Sequence, residues 1–137
     1  MTNADRLAQA ALSLVGTPFR MHGRDPVTGL DCVGLVAVAL ARIGRAVIAP
    51  SDYRLRGGNL AQFDGWALAS GFGRWEDVAS GQPGDVLLCE VSAQQFHAVI
   101  DAGGLFVHAH IALGRVIAHP PPLPWPVQRR WCLQEKG

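Results

Sequence analysis

Cysteine is scarce in this sequence, and neither sign of charge dominates. The 137 residues include only three cysteines, Cys32, Cys89 and Cys132, and their spacing forms no CxxC pair. Neither a disulfide framework nor a cysteine-based metal site is therefore expected. Twelve basic side chains stand against 11 acidic ones, which leaves a net charge of +1. Electrostatics gives no reason to expect a nucleic acid or an anionic membrane as a partner.

Long hydrophobic runs are also missing. The N-terminal stretch MTNADRLAQAALSLVG carries charges at Asp5 and Arg6, and its apolar residues recur at helical spacing. No signal peptide and no membrane insertion are predicted from it. We expect a protein made in the cytoplasm without a signal peptide. The content of 49% hydrophobic and 17% charged residues, without an internal repeat, predicts a single folded domain over residues 1–137.

Helical patterns come first in the chain. They predict three helices, from Thr2 to just before Gly16, from about Asp31 to Arg42, and from a cap at Asn59 through residue 70. Glycine and proline predict a loop over 20–30 and a connector over 49–59.

Short β-prone segments follow the helices. They predict strands over 84–91, 97–102, 105–110, 114–119 and 128–134. The run HPPPLPWP at 119–126 predicts an extended polyproline connector across the surface. This order predicts an α+β fold, with N-terminal helices packed on one face of a C-terminal antiparallel β-sheet.

A lone cysteine, Cys32, stands at the predicted start of the second helix, in TGLDCVGLVAVAL. Asp31 is suited to cap that helix, which puts Cys32 in its first turn. Unpaired backbone N–H groups and the helix dipole favour a thiolate there, and the same N–H groups can stabilise an oxyanion. A small core residue beneath a helix would fit the same position, so position alone leaves both interpretations open.

Two histidines on neighbouring predicted strands favour the chemical interpretation. His97 opens HAVIDA, and His108 lies in LFVHAH after a Gly103–Gly104 turn. Adjacent antiparallel strands would bring the two imidazoles side by side. His97 would then take the proton of the Cys32 thiol, while His108 orients and polarises His97. A hydrogen-bonded strand residue is the ordinary role of either histidine alone.

The other aromatic and imidazole side chains have weaker assignments. His108 and His110 face the same side of a strand, but no four-ligand set with His97 or Cys32 completes a zinc site, so no metal and no cofactor are predicted. His110 is predicted at the strand end or as a wall of the site, and His119, before three prolines, at the surface. The four tryptophans are expected to anchor the core and connectors rather than to bind glycan.

Taken together, the motifs resemble the NlpC/P60 family of papain-like cysteine peptidases. The segments VGTPFRMHGRDPVTGLDCVGLV, QPGDVLLC, HAVIDAGGLFVHA and GRV occur in the family's order across about residues 10–118. The resemblance implies the papain-like NlpC/P60 fold, with Cys32 as nucleophile, His97 as general base and His108 as the orienting residue. It also implies hydrolysis of an amide bond in peptidoglycan stem peptides or cross-links.

Two positions depart from the family's pattern. Phe19 stands where the family usually has tyrosine, and Val33 where it usually has serine. In many members these two side chains and the aspartate equivalent to Asp31 contact the substrate or the oxyanion, so the resemblance implies substrate-binding positions at Phe19, Val33 and Asp31. Loss of both hydroxyls removes hydrogen-bond partners for a polar stem-peptide end. Recognition of a free amino terminus on L-Ala-γ-D-Glu is therefore not carried over.

Two stretches, GTPFRMHGRDPVTGLDCVGLV and PPPLPWP, are similar to a subgroup encoded beside tail genes of phages and gene transfer agents. This resemblance implies a component of a phage-like tail that contacts tail hub or tip proteins and reaches periplasmic peptidoglycan from outside. A structural tail plug or adaptor that keeps the peptidase fold remains an alternative, although it would need no Cys-His-His set. A papain-like acyltransferase is another, although no membrane-facing segment favours it.

Overall fold

The computed structural model describes residues 1–46 and 59–135. These residues form three α-helices, a two-stranded hairpin and a six-stranded antiparallel sheet. The helices are α1 (Asn3–Ser13), α2 (Cys32–Arg42) and α3 (Leu60–Ala69). The hairpin consists of β1 (Arg24–Asp25) and β2 (Gly29–Leu30). The sheet consists of β3 (Phe72–Arg74), β4 (Val86–Ser92), β5 (Gln95–Asp101), β6 (Phe106–His110), β7 (Arg115–His119) and β8 (Val127–Leu133), in the order β3-β8-β4-β5-β6-β7. The predicted α+β fold is confirmed.

Each helix begins at a side chain that caps it. Thr2 and Asp5 form a capping box at α1, Asn59 accepts a hydrogen bond from the Gln62 N–H at α3, and Asp31 caps α2. These local signals are why the helix starts were predicted correctly. α1 ends at Ser13 and is therefore shorter than predicted. In the part of the chain that the structure describes, no helix has the length and apolar character needed to cross a membrane.

The two faces of the sheet have different coverings, because side chains alternate along each strand. One face packs on the helices and forms the main core, in which Ala98 and Ile100 of β5 and Ala109 of β6 meet Leu35 of α2. The opposite face carries a smaller cluster, formed by Leu87, Cys89 and Val99, with Leu123 and Trp125 packed against it. The predicted packing of the helices on one face is confirmed.

Some parts of the fold differ from the prediction. The predicted loop over 20–30 contains the β1–β2 hairpin, and β3 was not predicted. The strands β4 to β7 form a meander, but β8 returns to pair with β4 and β3. The segment over 120–126, which is neither helix nor strand, makes this return across the sheet face opposite the helices. The connector predicted over 49–59 lies outside the described residues except for Asn59.

A buried ion cluster holds β8 in its place beside β4. The Arg130 guanidinium donates from Nε to Asp85 Oδ2 at 2.7 Å, and from a terminal nitrogen to Asp101. Trp75 donates from its indole nitrogen to the same Asp85 oxygen. Because one partner lies just before β4 and another in β5, this cluster fixes the register of three strands.

Candidate active site

The first turn of α2 is held by a buried carboxylate. Asp31 is fully buried, and its Oδ1 and Oδ2 accept hydrogen bonds of 2.8 Å from the backbone N–H groups of Gly34 and His22. The loop before the helix also approaches closely, because a Cβ at position 34 would lie 1.9 Å from the carbonyl oxygen of Gly23. These contacts fix the start of α2, and with it Cys32.

Burial opposes the effect of the helix start on the Cys32 thiol. The residue is 1% exposed, and burial, followed by the negative charge of Asp31, raises its pKa to about 12. Backbone N–H groups of Ala98, Val33 and Cys32 itself act in the opposite direction. The helix start therefore favours the thiolate as predicted, but burial outweighs it. At neutral pH Cys32 is therefore a thiol, which is the form from which His97 is predicted to take the proton.

The predicted pair of imidazoles is present. Nε2 of His97 lies 2.9 Å from Nδ1 of His108, and the two rings are perpendicular, with centroids 4.9 Å apart. The adjacent strands β5 and β6 bring them together, as the sequence indicated. His108 is 1% exposed, so water does not separate the pair. Their catalytic roles stay a prediction.

A third imidazole, His119, joins the pair from β7. Its Nε2 lies 3.1 Å from Nε2 of His108, and its Nδ1 lies 3.0 Å from the carbonyl oxygen of Pro120. The prediction that His119 lies on the surface is wrong, because its ring is half-buried beside His108. The signal was the alternation of GRVIAH, where Val116 and Ala118 face the core and His119 therefore shares the opposite face with His108.

Trp125 covers the imidazoles from the segment that precedes β8. Its ring packs edge-on against His97 and His108, with centroids 5.5 and 5.3 Å away. Burial lowers the pKa of His97 to about 4 and that of His108 to about 3. At His97 the imidazole of His110 acts in the same direction as burial and Asp31 partly offsets it, and at His108 the imidazoles of His97, His119 and His110 act in the same direction as burial. Both rings are therefore neutral at pH 7.

The backbone of β5 connects the thiol to the imidazoles. The Ala98 N–H, which lies close enough to the Cys32 sulfur to lower its pKa, belongs to the peptide bond directly after His97. The Asp31 carboxylate, which caps the helix, is also close enough to raise the pKa of His97. The candidate nucleophile and the candidate base thus adjoin the same peptide bond.

Two clefts flank the imidazoles, and Trp125 lines both. One, of about 240 Å³, is lined by residues that include Gln95, His97, His108 and His110. The other, of about 270 Å³, is lined by residues that include His108, His119, Pro122 and Pro124. A smaller apolar cleft of about 60 Å³ lies between α2, α3 and the sheet, with Val33 and Ala98 in its lining.

The three predicted substrate-binding residues lie in different environments. Asp31 is committed to the backbone contacts described above, and Val33 is 8% exposed at the apolar cleft. Phe19 is half-buried, packs against the main core and pairs with Leu30 through an isolated bridge. Their contact with a substrate stays a prediction. Among residues 1–46 and 59–135, no group of three or more His, Cys, Asp or Glu side chains is arranged to hold a metal ion.

Known proteins identify the fold. No protein-family model matches the chain, and no curated protein matches it. Among solved structures, NlpC1 from Trichomonas vaginalis is similar with a TM-score of 0.72 and 20% identity, over 95% of this chain and 45% of that one. The P60 domain of an antigen from M. avium subspecies paratuberculosis is similar with a TM-score of 0.66 and 17% identity, over 98% and 96%. The chain has the NlpC/P60 fold.

A third similar structure is the NlpC/p60 domain of the peptidoglycan hydrolase SagA. It has a TM-score of 0.55 and 21% identity, over 85% of this chain and 88% of that one. The chain spans about half the length of the Trichomonas vaginalis structures that it matches. At these identities the likeness establishes the NlpC/P60 fold.

Proposed function

We propose that this protein is a cysteine endopeptidase that hydrolyses an amide bond in peptidoglycan stem peptides or cross-links. The observation that carries the proposal is the 2.9 Å contact between His97 and His108, on a strand whose Ala98 N–H lies close enough to the helix-start Cys32 to act on its pKa. The fold supports it, since one structure that shares it belongs to the peptidoglycan hydrolase SagA.

The proposed reaction begins with the two groups in their neutral forms. As the Cys32 sulfur bonds to the carbonyl carbon, its proton passes to Nδ1 of His97, and the carbonyl oxygen gains the negative charge. The backbone N–H of Cys32 stabilises that oxyanion. His97 then gives the proton to the leaving amine as the C–N bond breaks. Water, deprotonated by His97, attacks the resulting thioester and releases the peptide acid and the free thiol.

His108 and the three predicted contact residues have supporting roles in this proposal. His108 holds His97 in the orientation and tautomer that base catalysis needs. Asp31 holds the start of the nucleophile helix and, with Phe19 and Val33, borders the bound stem peptide. Because Phe19 and Val33 are apolar, the chain would bind the peptide largely through apolar contact at these two positions.

The location that we propose is a phage-like tail that acts on periplasmic peptidoglycan, where tail hub or tip proteins are the partners. The support is the resemblance of the segments around Cys32 and Trp125 to tail-associated proteins. A structural tail plug or adaptor with little activity is a second candidate. The burial of Cys32, which is 1% exposed, favours it.

Digestion of purified Gram-negative peptidoglycan tests the proposed activity. Wild type, Cys32→Ala and the control Cys132→Ala would be compared after circular dichroism has shown that each is folded, with released fragments measured by mass spectrometry. We expect wild type and Cys132→Ala to release new fragments and Cys32→Ala to release none. Fragment masses identify the bond. If no folded protein releases fragments, the peptidase proposal is wrong and the structural tail component is favoured.

A further inference from the structure

Four residues form one continuous chain of polar contacts at the imidazole cluster. His97 Nε2 meets His108 Nδ1 at 2.9 Å, and His108 Nε2 meets His119 Nε2 at 3.1 Å. The chain ends where His119 Nδ1 meets the carbonyl oxygen of Pro120 at 3.0 Å. Its last member differs from the others, because an imidazole nitrogen can donate or accept while a carbonyl oxygen can only accept.

The Pro120 carbonyl determines where the protons lie. Since this oxygen accepts, Nδ1 of His119 must carry the proton that makes the bond. A neutral imidazole holds one ring proton, so Nε2 of neutral His119 is bare and accepts. His108 must then donate from its own Nε2, which leaves Nδ1 of His108 bare.

The same argument extends to His97. Because Nδ1 of His108 is bare, it accepts, and His97 must donate from Nε2. Nδ1 of neutral His97 is then the nitrogen without a proton. A single acceptor at Pro120 therefore selects one tautomer at each of three rings.

We propose that His119 is a positioning residue, which uses the Pro120 carbonyl to fix the tautomers of His108 and His97 and keeps Nδ1 of His97 free to accept a proton. This role rests on the proposed peptidase function for its catalytic meaning, although the tautomers themselves do not. The arrangement extends the Cys32, His97 and His108 set by a fourth side chain and by a backbone carbonyl.

The surroundings of His97 and His108 leave the contacts between the four residues as the main determinant of these tautomers. His108 is 1% exposed and Trp125 packs on His97 and His108, so solvent offers little competition for the ring nitrogens of these two residues, whereas the contact between His119 and Pro120 is exposed. Charged or titratable neighbours also include Asp31, which acts on His97, Cys89, which pairs with His97 between β4 and β5, and His110, whose ring centroid lies 5.8 Å from that of His108. The Nδ1 of His110 accepts from the Leu113 N–H, so it belongs to a separate contact.

Nuclear magnetic resonance of ¹⁵N-histidine-labelled protein tests the assignment directly, since protonated and bare ring nitrogens give separate resonances. At pH 7 we expect protons on Nε2 of His97, on Nε2 of His108 and on Nδ1 of His119. A proton on Nδ1 of His97 would overturn the proposal. The measurement needs no substrate and therefore does not depend on peptidase activity.

Two variants of His119 separate positioning from packing. His119→Phe keeps an aromatic ring but removes both nitrogens, whereas His119→Gln can accept from His108 and donate to the Pro120 carbonyl. We expect His119→Phe to mix the tautomers of His97 and His108, and His119→Gln to keep them as in wild type. Tautomers unchanged in folded His119→Phe would overturn the proposal. If His119→Phe does not fold, the spectra of wild type and His119→Gln test the proposal. Mixed tautomers of His97 and His108 in His119→Gln would then overturn the positioning role.

Turnover by the same proteins separates this inference from the proposed function. We expect kcat of His119→Phe to fall about five-fold or more with little change in KM, because about one net hydrogen bond is lost from the alignment of the base. His119→Gln should recover most of kcat. If wild type releases fragments but Nδ1 of His97 carries a proton, the positioning role is wrong and the peptidase function stands. The expected tautomers without release of fragments would overturn the peptidase function alone.

Discussion

The backbone N–H of Ala98 lies close enough to the sulfur of Cys32 to act on its pKa, so the helix that carries the thiol lies against the strand that carries His97. The thiol is nevertheless buried, with its pKa raised to about 12, while burial lowers the pKa of His97 to about 4. A thiolate–imidazolium pair requires the opposite order of these two pKa values. The resting site therefore holds a neutral thiol and a neutral base.

The reactivity of the three cysteines toward iodoacetamide tests this neutral state. At pH 7 we expect Cys32 to be alkylated much more slowly than Cys132, because Cys32 is both buried and protonated while Cys132 is half-buried. Cys89, whose pKa burial also raises to about 12, should react as slowly as Cys32. Peptide mass spectrometry over a time course measures all three in one sample.

The same reaction in denaturant is the control for alkylation. In the unfolded chain the three thiols should react at similar rates, which shows that the differences come from the fold. Preferential alkylation of native Cys32 between pH 6 and 7 would contradict a neutral thiol and indicate a resting ion pair with His97.

The lowered pKa values of the buried imidazoles make stability depend on pH. In the unfolded chain a histidine has a pKa near 6.5, but in the folded protein the values are about 4 for His97 and about 3 for His108. Between these values the unfolded chain binds protons that the folded protein does not bind. The two neutral, buried imidazoles therefore contribute fully to stability above about pH 6.5, and this contribution decreases as the pH falls through about 4. We expect Tm to decrease over this range.

Comparison with His108→Gln isolates the histidine contribution to that pH dependence. The variant removes one buried imidazole, while His97 and the carboxylates remain. Its Tm should therefore depend less steeply on pH between 6.5 and 4 than that of wild type, as measured by calorimetry. Equal slopes for the two proteins would mean that these imidazoles are not held neutral by the fold.

Local signals explain what the sequence predicted correctly. The cap at Asp31 and the alternation of HAVIDA and LFVHAH depend on neighbouring residues only, so the start of α2 and the pairing of His97 with His108 followed from them. The electrostatic state of Cys32 did not follow, because burial depends on how α2 packs against β5 and that packing is non-local.

Long-range pairing explains most of what was missed. β3 has only three residues, and its partner β8 lies about 60 residues further along the chain, so no local pattern marks it as a strand. The position of His119 in the site depends on the local pairing of β6 with β7, which the alternation of GRVIAH indicates, and on the non-local passage of Trp125 over the sheet. The prolines after His119 correctly excluded helix and strand, although the segment has bends rather than the extended conformation predicted, and they gave no information about which surface it covers.

Two helix glycines provide a matched test of how the start of α2 is held. A Cβ at position 34 would lie 1.9 Å from the backbone carbonyl oxygen of Gly23, whereas a Cβ at Gly65, which is exposed inside α3, would meet nothing within 4 Å. We expect Gly34→Ala to lower the free energy of unfolding by about 1–3 kcal/mol through overpacking. Gly65→Ala should raise it by about 0.5–1 kcal/mol, because alanine favours helix.

Urea denaturation of the two alanine variants measures this contrast, and turnover shows whether it reaches the site. Gly34→Ala should also reduce peptidase activity, because the Gly23 loop carries the His22 N–H that donates to Asp31 beside Cys32. Gly65→Ala should leave activity as in wild type. Equal stabilities of the two variants would show that the loop moves away from α2 at little cost. The activity of Gly34→Ala would then show whether Asp31 keeps Cys32 in place without the close contact between α2 and the Gly23 loop.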